Sequence, residues 1–341
     1  SEEGREPQKD DAVILLETQT GTDQKSLLET ACRYLASGLT PIRLGPRSKV
    51  PPGKHDHNTL TADNAARLLN VGGYNLGLRL GPDHGDLVDF DLDWPEARRL
   101  GDLLLSMFSR FGRDGARGSH YLLRCDGPIK SVKYDIPELK GMDGLPEEHA
   151  ICVLEVRAGG HTMVPPSVHP NGEAVAWEKE SGLRMDNAEG IHRRAGLLAF
   201  LSVVLRFYPA QGSRDDLCMA LAGALLAAGL APGEADNCIV AVAEAAGDEE
   251  AGKRGKAGQT AVKVDAGEPA TGIPRVVEML ALPDAVAKRF RRWLGISEGR
   301  RDNRPRVEYS ENRLHETLDA TENALLAANV PIYQMAGRLV Q

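Results

Sequence analysis

Cysteine is scarce in these 341 residues, and the five present, Cys32, Cys125, Cys152, Cys218 and Cys238, form no close pair. That spacing speaks for a reducing compartment and against a four-cysteine zinc site, so no zinc is expected. Long apolar runs are missing as well. The longest, around Leu197 to Leu205, falls far short of the roughly 20 residues a membrane span needs. No amino-terminal signal pattern precedes it, and the expected setting is the cytoplasm, away from membranes. Positive charge is in deficit: 41 Lys and Arg against 49 Asp and Glu leave a net charge of −8. A polyanion such as nucleic acid is held mainly through Lys and Arg, so any such contact here must come from a local cluster. One segment is locally basic, with Lys288, Arg289, Arg291, Arg292, Arg300, Arg301, Arg304 and Arg306 beside Phe290 and Trp293. It would serve equally as the polar face of a helix and a solvated linker.

What is present begins with Leu87-Val88-Asp89-Phe90-Asp91-Leu92-Asp93. Side chains alternate faces along a strand, so Asp89 and Asp91 leave the same side, backed by Val88, Phe90 and Leu92. Adjacent carboxylates raise each other's pKa unless a cation sits between them, and hard oxygen ligands suit Mg²⁺ or Mn²⁺. The same acids would also suit a solvent-facing edge strand. Asp93 shares their face, but Trp94-Pro95 ends the strand, which makes it a supporting acid or a helix cap. A loop rich in glycine and arginine, from Gly112 to Gly118, runs into Ser119-His120-Tyr121, where a histidine at a strand mouth can donate to phosphate or serve the core. Further on, Glu155 and Arg157 share a strand face, either as site residues or as a surface pair of little energetic weight. A double-proline turn, Pro165-Pro166-Ser167, and an Asn171-Gly172 turn follow.

Taken in order, Asn75-Leu76-Gly77, Asp89-x-Asp91, a glycine-led His120, Glu155-x-Arg157-x-Gly159-Gly160 and Pro165-Pro166-Ser167-x-His169-Pro170-x-Gly172 resemble the archaeo-eukaryotic primase superfamily. The closer likeness is to the bifunctional DNA primase/polymerase amino-terminal domains of bacterial plasmids, phages and integrated elements. It covers about residues 24 to 185. The resemblance implies that Asp89, Asp91 and Glu155 are the catalytic acids and ligands of two divalent ions, Mg²⁺ or Mn²⁺. It implies that His120 contacts the triphosphate of an incoming nucleotide, with Ser119, Arg157 and Lys49 as further nucleotide contacts. Ser119 departs from the pattern, because the family places serine two residues before the histidine and Gly118 stands there. Next to His120 on a strand, Ser119 is expected to face the other way, leaving its backbone N–H to serve.

The rest of the chain divides by character. Residues 1–23 are polar and read as a flexible leader, 24–186 as the primase-polymerase domain, 187–297 as a helical accessory domain, and 298–341 as a linker and the start of a downstream helicase-type module. Alternating helices and strands are expected up to Trp177, with a helix over about Pro95 to Arg110, and helices alone after 187. Gly212-Ser213-Arg214-Asp215-Asp216 reads as a capping box. The expected fold class is α+β, a two-part catalytic module with an RRM-like sheet, followed by an all-α part.

These readings lead to a template-dependent nucleotidyltransferase that makes and extends primers on single-stranded DNA from nucleoside triphosphates, with a helicase module on the same polypeptide. Arg289, Arg291, Arg292 and Arg301 are the expected template contacts, and extension is expected to survive removal of everything after about residue 187. Two other classes stay open. One is a catalytically silent DNA-binding replication-initiator module; the other is a metal enzyme such as a phosphohydrolase or an iron oxygenase, which three carboxylates and one histidine favour less.

Overall fold

The computed structural model describes residues 27–69, 73–142, 151–266 and 270–296, together with two short strands near the carboxyl terminus. In chain order the elements are α1 (Leu27–Ala36), β1 (Pro41–Leu44), α2 (Ala65–Leu69), β2 (Asn75–Arg79), β3 (Leu87–Asp91), α3 (Pro95–Leu105), β4 (Ser109–Arg113), β5 (Ala116–Asp126), β6 (Val132–Asp135), β7 (Cys152–Arg157), β8 (His161–Val164), β9 (Ser167–Val168), β10 (Ala174–Lys179) and β11 (Met185–Asn187). Helices α4 (Ala188–Arg206), α5 (Arg214–Ala227), α6 (Pro232–Ala245), α7 (Ala257–Asp265), α8 (Ile273–Met279) and α9 (Ala285–Trp293) follow. Residues 1–296 form one compact unit and 297–341 a second, in which β12 (Tyr333–Met335) pairs antiparallel with β13 (Arg338–Val340).

Two sheets organise the first unit. The larger runs in the order β6-β7-β3-β5-β4-β10-β9, with β11 alongside β5, and the smaller runs β1-β2-β8. Strand β3 is central, antiparallel to both β5 and β7. Its alternation decides what each face of the sheet carries. Val88 and Phe90 enter a core with Tyr121, Leu123 and Val156 that continues into Ile191, Ala195 and Leu198 of α4. Leu87 enters a second core with Leu76, Leu78, Phe111 and Leu122, shared with the small sheet and α1. Asp89 and Asp91 lie on this second face. A solvent-facing edge is therefore excluded for Asp89, which is fully buried in the middle of the sheet.

The small sheet owes its seat to two sequence motifs that grip each other. Asn75 donates to the Val168 carbonyl at 2.7 Å and accepts from its N–H at 2.8 Å. The Ser167 hydroxyl accepts from the Leu76 N–H at 3.0 Å and donates to the Val164 carbonyl at 2.6 Å. The Tyr34 hydroxyl closes the knot on the Pro165 carbonyl at 2.8 Å, across a cis Pro165-Pro166 bond. Gly77 lies at the centre of this sheet, where a Cβ would fall 2.9 Å from the Thr162 carbonyl oxygen. Asn75-Leu76-Gly77 and Pro165-Pro166-Ser167 are thus structural: they fix β8 opposite β3.

Three local expectations are corrected. Helix α3 stops at Leu105, and the glycine- and arginine-bearing segment is largely the β4–β5 hairpin, with only Asp114 and Gly115 between the strands. Burial of Phe108 and Phe111 accounts for the early stop, since Phe111 must reach the core between the sheets. Ser213 does not cap α5; its hydroxyl bonds the Ala210 carbonyl instead. Between α6 and α7, Asp248 bends the chain by accepting from the Glu250 N–H and from Arg254, and α7 begins only at Ala257.

Candidate active site

Cross-strand pairing assembles the site. Asp91 stands opposite His120 on one side and Glu155 on the other, and Asp89 stands opposite Arg157. Five residues from three stretches of sequence therefore share one face of three adjacent strands, a firmer support than a loop. The His120 ring is held by stacking on Phe111, with centroids 4.7 Å apart and planes 9° from parallel. Its Nδ1 lies 3.1 Å from Asp89 Oδ2 and 3.7 Å from Asp91 Oδ1. The Arg157 guanidinium lies 3.6 Å from Asp89 and 3.7 Å from Asp91, and donates to the His161 carbonyl at 2.6 Å.

Asp89, Asp91 and His120 bring one ligand atom each within 4.8 Å of one another, the geometry of a metal-binding group. The donor set fits a hard divalent cation: two carboxylates, one fully buried, joined by one imidazole. Glu155 is half-buried, in register between Asp91 and Lys133 of β6, and stands outside that tight group. The acids do not simply repel each other. Arg157 and His120 already place positive charge against both carboxylates, where the sequence alone suggests a gap awaiting a metal.

The titration shifts record that balance. Burial pushes the Asp89 carboxyl up, but the His120 charge, its hydrogen bond and Arg157 outweigh it, and the net direction is down. Burial depresses His120, yet Asp89 and Asp91 prevail and hold it above the ordinary imidazole value. Asp93 is pushed up to about 6 by burial and by the charge of Asp91, against a Cys152 hydrogen bond and the charge of His120. Glu155 is raised by burial, against the opposing pull of Lys133 and Arg157. The buried Thr162 hydroxyl, on β8, exerts a further small lowering influence on Asp89 and has no hydrogen bond of normal geometry.

Above these residues a cleft of about 190 Å³ opens between the two sheets. Asp91, Asp93, His120 and Arg157 line it from the large sheet, and Thr162 and Met163 from the small one. Ser119 and Lys49 line it too. Gly118, at φ 63°, turns the chain just before Ser119, and Ser119 and His120 both border the cleft. Lys49 is exposed, and its carbonyl accepts from His161 Nε2 at 2.7 Å. Arg98, Arg113 and His169 also line the cleft; the sequence holds His169 and Arg113 only as parts of motifs, with no role assigned, and does not mark Arg98. Their signal is weak, because they are far apart in the chain and only the fold gathers them.

The expected template contacts divide. Arg289 is engaged with Glu138 through three hydrogen bonds of 2.7 to 2.9 Å, tying α9 to the segment after β6. Arg291 is half-buried in the last turn of α9. Arg292 lines a groove of about 820 Å³ with Lys133, Tyr134, His192, Arg193 and Trp293, between the edge strand β6 and helices α4 and α9. Arg301 lies outside the described residues.

The site and its setting define an α+β protein with an acidic, histidine-bearing centre suited to a divalent cation, set on a mixed sheet and facing a second sheet. A family model, the amino-terminal domain of bifunctional DNA primase/polymerases, matches residues 31–190, and this part of the chain belongs to the primase-polymerase family. A search of curated proteins gave no match. Among the described residues, no helix is long and apolar enough to cross a membrane.

Proposed function

We propose that the protein synthesises DNA-templated strands, starting primers and extending them on single-stranded DNA, with Asp89, Asp91 and Glu155 holding two Mg²⁺ or Mn²⁺ ions. One observation carries this reading: the buried Asp89 and its neighbour Asp91 sit together with His120 and Arg157 at the floor of a cleft. Such a pair of ions supplies a lowered pKa for an attacking 3′-hydroxyl and charge to steady a leaving pyrophosphate. The chain's own residues position the reactants. With Nδ1 committed to Asp89, His120 has Nε2 left for a phosphate oxygen. Arg157 would exchange its hold on the acids for the nucleotide as the ions enter, and Ser119 and Lys49 stand at the same cleft. Phosphoryl transfer needs little beyond positioning and charge neutralisation, which this set provides.

The helical part, with Arg291 and Arg292 at its basic end, would hold the single-stranded template. Arg292, Lys133 and Arg193 line one groove beside the aromatic Trp293 and Tyr134, a combination suited to backbone phosphates and stacked bases. The setting that goes with this reading is replication of a mobile element in the cytoplasm, with a helicase module on the same polypeptide. Incubation of the full chain with unprimed single-stranded template, Mn²⁺ and labelled nucleoside triphosphates tests the proposal. Template-dependent products are expected; DNA binding without products would identify a silent initiator module.

A further inference from the structure

The cleft also gathers guanidinium groups beside the acids. Arg98, in the second turn of α3, is half-buried and lines the cleft beside Asp91 and Asp93. Its Nη1 donates to the Leu92 and Asp93 carbonyls at 3.1 and 2.6 Å, which fixes the guanidinium at the end of the strand that carries the acids. Among the described residues no carboxylate comes within ion-pair distance of it. A guanidinium has five N–H donors, and backbone carbonyls use only one nitrogen here.

A second guanidinium stands near. Arg113 lines the same cleft and is paired with Glu173, which also accepts from Gly115 N–H at 2.8 Å and from Asn171 at 2.7 Å. Arg113 is therefore fixed by the hairpin and the turn after His169. Burial holds the Arg98 guanidinium below its ordinary pKa and the Arg113 charge adds to the effect, while Asp93, Glu96 and Asp91 oppose it from beyond ion-pair distance. A fixed guanidinium with N–H donors to spare, close to a second one and with the exposed Lys49 and the half-buried His169 at the same cleft, suits a multivalent anion.

We infer that Arg98, with Arg113 opposite, is the subsite for the polyphosphate tail of the incoming nucleotide, distinct from the His120 contact and placed where the leaving pyrophosphate departs. This rests on the proposed nucleotidyl transfer. The position suits it: Arg98 is anchored to the carbonyls of Leu92 and Asp93, immediately beyond the acids that would hold the ions.

The test uses the full chain, inorganic tripolyphosphate as probe, and no divalent ion. Tripolyphosphate is expected to raise the melting temperature of the unaltered protein and to bind about tenfold more weakly to Arg98→Gln, with Arg98→Lys between them. Each variant is compared with its own ligand-free melt, so a loss of fold stability does not imitate a loss of binding. Affinity for a single-stranded oligonucleotide is expected to stay unchanged in Arg98→Gln. Equal tripolyphosphate binding by Arg98→Gln and the unaltered chain would overturn the inference, as would weakened oligonucleotide binding with tripolyphosphate binding intact, which would assign Arg98 to a nucleic-acid backbone. Absence of polymerisation by the unaltered chain would defeat the functional reading while leaving the tripolyphosphate comparison to decide the subsite.

Discussion

At the scale of single residues, the contact between His120 and Asp89 makes the centre a proton site as well as a cation site. His120 is raised, so its contribution to stability is fully present below the unfolded imidazole value of about 6.5 and is lost as pH rises through its folded value. Asp89 is lowered, so its share is present above about pH 4 and is lost as pH falls through its own folded value. The pair therefore stabilises the metal-free protein most between about pH 4 and 6.5. His120→Gln is expected to cost about 1 to 2 kcal/mol in that window and less towards pH 9, measured by denaturant titration without metal. A cost that grows from pH 6 to 9 would contradict the assignment. The sequence alone suggests that removing either acid relieves repulsion. With Asp89 buried between His120 and Arg157, its removal instead takes away the nearer carboxylate of both cations and leaves them to Asp91 alone.

At the scale of elements, strand alternation told most of what mattered. The strands holding Asp89, Asp91, Glu155 and Arg157 were legible because carboxylates alternate with Val, Phe and Leu, a pattern only a half-polar strand explains. Strand β4 was not, since Arg110 reads as the end of a helix and Gly112 and Arg113 as a loop, and only packing of Phe111 against His120 makes them a strand. Arg98 was equally hidden: on a helix it reads as surface charge, and its role depends on the carbonyls of Leu92 and Asp93 behind it. The turn between α6 and α7 is a similar case. Asp248 is buried and gathers Arg254 at 2.8 Å, Arg214 at 3.3 Å and the Tyr208 hydroxyl at 2.8 Å. The hydrogen bond from Arg254, above all, holds its carboxyl well below the usual carboxylate range. Asp248→Asn is expected to destabilise the protein by about 3 kcal/mol at neutral pH, because it removes the one buried carboxylate between Arg254 and Arg214 and leaves them only the more exposed Asp215, Glu249 and Glu250. The folded value is depressed, so this stability is present above about pH 4 and fades as pH falls, and the two melting curves should converge in acid. A gap that stays constant down to pH 2 would rule out the ion pair as its cause.

At the scale of the whole molecule, the helices are more than an appendage. Residues 1–296 form one compact unit, and α4 covers the sheet face made by Val88, Phe90 and Val156. Arg206 pairs with Glu96 at 2.6 Å and lies 3.8 Å over the Trp94 ring, and Arg289 holds Glu138, so helices and sheet are also tied at the rim. The change of character at about residue 187 is real in sequence, but it does not coincide with a break between cores. A chain ending near 187 would expose that apolar face, and is expected to lose cooperative melting, against the expectation that extension survives such a cut. Charge reversal at Arg292 and Lys133 probes the same part without removing it. It should weaken single-strand binding and flatten its dependence on salt, as expected when fewer counterions are released. Unchanged binding with an unchanged salt slope would move the template away from the groove.

The central claim is that Asp89 and Asp91, with His120 beside them, hold the divalent ions of a template-directed polymerase. Its most direct test is extension of a labelled primer on a defined template with Mn²⁺ and one nucleoside triphosphate at a time, comparing the full chain with Asp91→Asn. Only the nucleotide complementary to the template should be added, and Asp91→Asn should add none while losing the melting shift that Mn²⁺ gives the unaltered protein. Extension by Asp91→Asn at the unaltered rate, or addition that ignores the template, would contradict the account.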